Sequence, residues 1–559
     1  MTSTTNSTTW QDLVAAKQQE CKQKIPHEWQ LSAEQLALAQ KTPRLLEADI
    51  PRRSGILSDL ELDITENYTA SQLLDKLASG QISSLAITTA FCKRAVIAQQ
   101  LTSCLTETFF PQALERAKYL DEYLQQEGTP IGPLHGLPIS LKDTFCVEGV
   151  QTTVGYTSFL ANEPAKTNSA LVEMLLQLGA VLYVKTNIPQ TLMYTTQTAD
   201  SENNIFGRTL NPHNTALTAG GSSGGEGALL SFRGSILGIG TDIAGSIRIP
   251  ALCCGVYGFK PTTQRIPYSG QVNGNVQGMP GIAPVAGPLG HSIADLSLLM
   301  SSVVGNGQAW EYDAAVLPVP WQTVPTNGTG MLTIGVMADD EHFPLHPPVK
   351  RALDRAIAAL TKAGHRVVRI GGRAEELSLA YVSRLAFQYF VYGPRNDHIS
   401  PSGEPAVASV VRGASPMFSG SFPVEQGLEP FEMIQRLHMA RRRVDEAWRE
   451  MWVGSKLDVV LGPGAQNTAV ALDTYGWPPY TVLWNLLDYP ACVIPFGKAD
   501  KELDPEPVAA GNDMQPSYIP EQVDGAPCAI QVVTPRFQDE KCLWAADIID
   551  KVLATYGKE

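Results

Sequence analysis

The sequence predicts a single large α/β domain whose central sheet is mixed, mostly parallel and covered by helices. Three observations carry that prediction. From Pro130 onward, short apolar runs of strand length alternate with longer helix-patterned segments. Hydrophobic residues make up 44% of the 559 and charged residues only 18%, ample material for a large core. The proline- and glycine-rich stretches at 312–330 and 498–527 read as surface loops rather than domain linkers, so nothing divides the chain after its first sixty residues.

Those first residues, 1–60, are polar and helix-leaning, basic near Lys17 to Lys24, and read as an N-terminal helical arm laid on the body. "SQLLDKLASG" reads as a helix ending at Gly80, and "SSLAITTAFCKRAVIAQQ" as the next. "FPQALERAKYLDEYLQQEG" closes at Gly128, a glycine stop. Strands follow in "LPISLKD", "VLYVKTN" and "SILGIGTDI", with the helix "SALVEMLLQLGA" between the first two. "MLTIGVMADD" and "PVKRALDRAIAALTKAGHRVVRI" form a strand–helix–strand unit with Gly364 as the helix stop. "KLDVVLGPG", "YPACVIPFG" and "CAIQVVTP" supply the last strands, before a closing helix in "DEKCLWAADIIDKVLATYG".

The net charge of −14 and the absence of a dominant basic stretch argue against nucleic acid or an anionic membrane as partner. Nine scattered cysteines without metal-ligand spacing suit a reducing, cytoplasmic location. No basic-then-apolar leader and no membrane-length apolar run stand out, so no membrane anchor is expected. No metal or cofactor motif is present: the glycines between 220 and 258 lack both a Gly-Lys-Ser/Thr ending and a third glycine after Gly238-Ile239-Gly240. The sequence leaves the oligomeric state open; that homodimers are common among soluble enzymes is a base rate only.

Gly220-Gly221-Ser222-Ser223-Gly224 satisfies G-x-S-x-G, which would make Ser222 a nucleophile in need of a histidine. The histidines that follow, at 291, 342, 346, 365, 398 and 438, carry no local signature of that role. A second cluster competes. In "GTDIAGSIRIPA", Asp242, Ser246 and Arg248 sit among small residues, and the amides of Ile243, Ala244, Gly245 and Ser246 can converge on one oxyanion. An ordinary structural turn with an Asp–Arg pair fits the same letters. Lys142 ends an apolar strand pattern, where it either reaches out to solvent or, if desolvated, serves as a neutral base.

Together these segments resemble the amidase signature family of serine hydrolases. The central likeness runs from Gly220 to Gly258-Phe259-Lys260-Pro261, and the upstream G-x-P-x-x-x-K-D pattern is met by Gly136, Pro138, Lys142 and Asp143. "VKTNIPQTLM", "FGRTLNP" and "DYPACVIPFG" also resemble family segments. The glutamate of "SSGGEGA" and the wording "KTNIPQTLM" are most similar to the fungal acetamidase, or general amidase, branch. The resemblance implies one catalytic domain over 61–559 and a Ser-cisSer-Lys triad. Ser246 is then the nucleophile, Ser222 the bridging serine after a cis peptide, and Lys142 the base. It further implies oxyanion donors at Ile243, Ala244, Gly245 and Ser246, supporting roles for Ser223, Asp242 and Arg248, and substrate contacts at Met193 and Tyr194. The implied partner is a small-molecule amide, hydrolysed through an acyl-enzyme without a cofactor. Ala244 stands where many members carry glycine, and its methyl is expected to narrow the site or stiffen the loop. Carbamate, urethane or ester hydrolysis on the same triad, a glutamine-amidotransferase subunit, and a catalytically dead binding protein are the alternatives. Tyr475, Trp477 and Trp484 read as aromatic pocket walls or, more simply, as core.

Overall fold

The computed structural model describes residues 9–556 apart from 194–198, 273–277, 279–280, 306, 325–329, 338–339, 372–373, 393–395, 415–421 and 512–514. The helices expected before Pro130 are present as Ala70–Ala78, Ser84–Thr102 and Phe110–Glu127. Thr69 and Gln72 form a capping box that starts the first, and Gly128, at φ 70°, ends the third in the left-handed conformation.

Among the described residues there are thirteen strands, in chain order β1 (Leu105–Thr108), β2 (Pro138–Lys142), β3 (Val181–Thr186), β4 (Glu202–Asn203), β5 (Gly207–Arg208), β6 (Leu237–Asp242) and β7 (Tyr257–Lys260). The rest are β8 (Val285–Gly290), β9 (Thr333–Met337), β10 (Arg366–Ile370), β11 (Val459–Pro463), β12 (Ala491–Lys498) and β13 (Pro527–Val533). β4 and β5 pair with each other; the other eleven form one sheet in the order β1-β3-β2-β6-β8-β7-β12-β13-β11-β9-β10.

The sheet is mixed, as expected, but its parallel pairing is regional. β3, β2 and β6 form one parallel group and β11, β9 and β10 another, while β6 to β11 across the middle pair antiparallel, as do β1 and β3. Only four of the ten pairings are therefore parallel, fewer than the alternation of strands and helices suggested. The reason is burial. β13 is buried along its whole length, and a strand covered on both faces carries no alternation to show which way its neighbours point; β8 is equally buried, but its glycines and proline hide it from an apolar-run reading altogether.

The largest core cluster lies along the sheet and takes in Trp29, Leu31, Leu45, Ile50 and Leu57 from the first sixty residues. Trp29 packs on Phe110 with ring centroids 5.6 Å apart, and Lys17 and Lys24 both pair with the buried Glu107 of β1. A second cluster is rich in aromatic residues and draws on the helices Leu379–Tyr392, Pro430–Ser455 and Pro479–Leu486. Ile243 and Ala244, just past the end of β6, pack against it.

Candidate active site

β2 and β6 run parallel with Ser140 opposite Gly238 and Leu141 opposite Ile239, so their carboxyl ends emerge side by side. Crevices at the carboxyl ends of parallel strands are where α/β folds gather ligand-binding residues. Lys142 is the last residue of β2 and Asp242 the last of β6. Two glycine-containing turns meet them. One carries Ser222-Ser223 into the helix Gly224–Ser231, and the other carries residues 243–247 into the helix Arg248–Cys254.

Lys142 is fully buried, and its Nζ donates to Ser222 Oγ at 2.6 Å and to Thr241 Oγ1 at 2.7 Å. Burial lowers the lysine to about 7, against the opposing pull of Asp242 and Glu226. The Gly221–Ser222 peptide is cis, as the resemblance implies. Ser223 ties the two turns together: its N–H donates to the Ser246 carbonyl at 3.1 Å, and its hydroxyl lies 3.4 Å from the Thr241 N–H. Ser246 is 5% exposed and Ser222 3%, whereas Lys142 is fully enclosed, so the cluster is least buried on the Ser246 side.

Asp242 holds the second turn. Its carboxylate accepts from the N–H of Gly245 at 2.8 Å and of Ile247 at 3.1 Å, and from Arg248 Nε and Nη2 at 3.0 and 2.9 Å. Burial would raise this carboxyl, but the Arg248 charge and the bonds from Arg248 and Asn485 hold it at about 2. Arg248 completes its shell with the Thr481 carbonyl, Gln531 Oε1 and Asn485 Oδ1. Gly245, at φ 132°, is where only glycine fits: a Cβ there would stand 2.4 Å from Thr481 Oγ1, which donates to the Ala244 carbonyl at 2.6 Å. Of the four amides named as oxyanion donors, that of Gly245 is therefore already engaged by Asp242. Ile243, Ala244 and Ser246 are the remaining three, and Ile243 and Ala244 are half-buried.

Met193 closes the short turn Gln190–Met193, whose central Thr191 and Leu192 take the left-handed conformation and which Glu404 clamps through Gln190 at 2.9 Å; its side chain, and Tyr194 altogether, lie outside the described residues. Tyr475, Trp477 and Trp484 are 1%, 3% and 0% exposed and belong to the core.

The histidines are occupied elsewhere. His291 and His346 bond the carbonyls of Ser235 and Pro516, and His365 accepts from the Leu332 N–H. His398 packs on Tyr156 and Phe159, His438 on Tyr389, and His342 lies beside Asp340. The basic side chain bonded to Ser222 is Lys142. Thr241, Thr481, Asn485 and Gln531 were not singled out by sequence reasoning; Thr241 alone had a local signal, a hydroxyl one residue before Asp242 in an apolar strand.

The amidase family model matches residues 86–543. The chain belongs to the amidase signature family. It is 40% identical to an amidase of Gibberella moniliformis, over 97% of this chain and 99% of that one. An acetamidase of Emericella nidulans is 38% identical over 97% and 98% of the two chains. Among solved structures, a fatty acid amide hydrolase superposes with a TM-score of 0.85 at 31% identity, covering 97% of this chain and 95% of that one. Among the described residues of this amidase signature protein, no helix is long and apolar enough to cross a membrane.

Proposed function

We propose that the protein is an amidase that cleaves a carboxamide C–N bond through an acyl-enzyme on Ser246. One observation carries the reading: a fully buried lysine, lowered to about 7, bonded at 2.6 Å to the Ser222 hydroxyl. A lysine at that proton affinity is half neutral near pH 7, and its neutral amine accepts a proton. In this reading Lys142 draws the proton of Ser246 through the Ser222 hydroxyl, and the Ser246 oxygen attacks the amide carbonyl. The N–H groups of Ile243, Ala244 and Ser246 face the oxyanion that forms, each donor of this kind contributing roughly 3–4 kcal/mol. The proton then returns from Lys142 through Ser222 to the leaving nitrogen, the C–N bond breaks, and water hydrolyses the Ser246 ester. Asp242 and Arg248 stiffen the turn that carries the nucleophile. The names of the relatives point the same way, to small and fatty amides alike.

A fluorophosphonate probe followed by peptide mapping tests the assignment. Label on Ser246, absent in Ser246→Ala and slowed in Lys142→Ala, is the expected result. Label on Ser222 would reverse the roles of the two serines.

A further inference from the structure

Ser222 sits in the middle of a turn, and both ends of that turn are held by a residue that the chemistry proposed above does not use. Ser201 is buried just before β4. Its hydroxyl donates to the Gly220 carbonyl at 2.9 Å and accepts the Gly224 N–H at 3.1 Å. One side chain therefore spans Gly221-Ser222-Ser223 from end to end, and its single hydroxyl proton is spent there.

The bridge stands in for an ordinary helix cap. Ser223 occupies the N-cap of the helix Gly224–Ser231, a position from which a serine hydroxyl commonly accepts one of the first free N–H groups. It makes no such bond; its hydroxyl is turned to Thr241 of β6 instead. Ser201 takes the first N–H, and the Asn187 carbonyl takes that of Gly225 at 3.0 Å. Only glycine at 224 lets the hydroxyl come so close, since a Cβ there would stand 2.3 Å from Ser201 Oγ. Ser201 is itself fixed: its carbonyl accepts the Thr209 N–H at 2.9 Å, and Arg208 ties the neighbouring Glu202 to Asp473. The helix is seated as well. Its buried Glu226 is bonded by Ser140 Oγ at 2.6 Å and Thr186 Oγ1 at 2.9 Å, and a Cβ on Gly238 of β6 would stand 2.0 Å from Glu226 Oε2. What is left to set is the turn that leads into it, and Ser201 spans that turn.

We propose that Ser201 is a positioning residue that holds the Ser222 hydroxyl on Lys142, a role that rests on the triad reading given above. Ser222 Oγ lies 2.6 Å from Lys142 Nζ, and a relay through it works only while that contact is kept. Without the Ser201 hydroxyl, the Gly220 carbonyl and the Gly224 N–H lose their shared partner, and the turn is free to swing Ser222 off the amine.

The test is the rate at which a fluorophosphonate labels Ser246 in the full chain and in Ser201→Ala, measured over a range of probe concentrations. The maximal labelling rate should fall at least about fivefold, the equivalent of one hydrogen bond, with the half-saturating probe concentration within about twofold of wild type. In Lys142→Ala, where no relay is left to align, adding Ser201→Ala should slow labelling by less than about twofold. A maximal rate kept at the wild-type value overturns the proposal. So does a loss in the Lys142→Ala background as large as in the wild type, which is what a merely structural role gives. If Ser201→Ala does not fold, Ser201→Cys takes its place: a thiol is a weak donor and acceptor, so a smaller loss is expected, and a wild-type rate overturns the proposal. Wild-type protein that takes no label on Ser246 refutes the triad itself, whereas wild-type label with an unchanged rate in Ser201→Ala refutes only the role of Ser201.

Discussion

Lys142, at the end of β2, and Arg248, just past the end of β6, are both completely buried basic side chains, and they are built for opposite ends. Lys142 is met by two hydroxyls, which serve a neutral amine as well as an ammonium. Arg248 is met by the Asp242 carboxylate in two places, two amide oxygens and a carbonyl. A guanidinium stays charged at any pH a protein survives, and its fork fits that fixed shell. Burial alone thus decides little. The partners decide whether a buried cation is held in one charge state or left free to change it.

The sharpest way to break this contrast is to remove the changeable cation. Lys142→Ala should cut amide hydrolysis at least about a thousandfold, and Lys142→Arg should not restore it, because arginine gives up no proton. Steady-state kinetics on folded variants would decide this, and activity retained in Lys142→Arg would remove the proton transfer from the mechanism. On the other side, Asp242→Asn leaves the Arg248 guanidinium buried without its counter-charge and should cost about 3–5 kcal/mol. Chemical denaturation measures that cost; a loss below 1 kcal/mol would mean that Asn485 and the carbonyls suffice to hold the arginine.

The pH dependence separates the two cations without mutation. In the proposed mechanism Lys142 takes up a proton only when neutral, so the rate should rise about tenfold per pH unit below about 7 and level off above it. A flat profile from pH 6 to 9 would show that the lysine does not titrate in this range. Asp242 has its folded value lowered from 3.8 to about 2, so the stability it adds is complete above the unfolded value and is lost as pH falls toward 2, far from the catalytic window. The smallest effect is expected for Thr241→Val. It removes one of the two hydroxyls at Lys142, and a hydrogen bond of about 1 kcal/mol corresponds to roughly a fivefold change in rate.

The two sides also differ in how far the sequence discloses them. Lys142, Ser222, Ser246, Asp242 and Arg248 lie in segments whose wording is dense enough to betray a family, and their neighbourhood follows from the strand ends that carry them. The shell around Arg248 does not. Thr481, Asn485 and Gln531 arrive from strands and helices more than two hundred residues away, and no local pattern says which distant amide will face an arginine. The engagement of the Gly245 amide was equally hidden, since a run of small residues shows that amides can converge but not which of them a carboxylate already holds. Eight of the eleven strands of the main sheet were legible from apolar runs; β1, β7 and β8 were not, the last because glycine and proline interrupt it, and strand direction was not legible where strands such as β13 are covered on both faces.

The fit between Gly238 and Glu226 reaches beyond the reaction to how this chain can change. One position lies mid-strand and the other on a helix, yet they share a single volume, with 2.0 Å between a hypothetical methyl and a carboxyl oxygen. A side chain at 238 would have to push the end of the Glu226 side chain out of that volume, so the two positions are coupled. Grafting the "GGEGALL" turn onto another member of the fold therefore calls for a look at what stands at the position of Gly238.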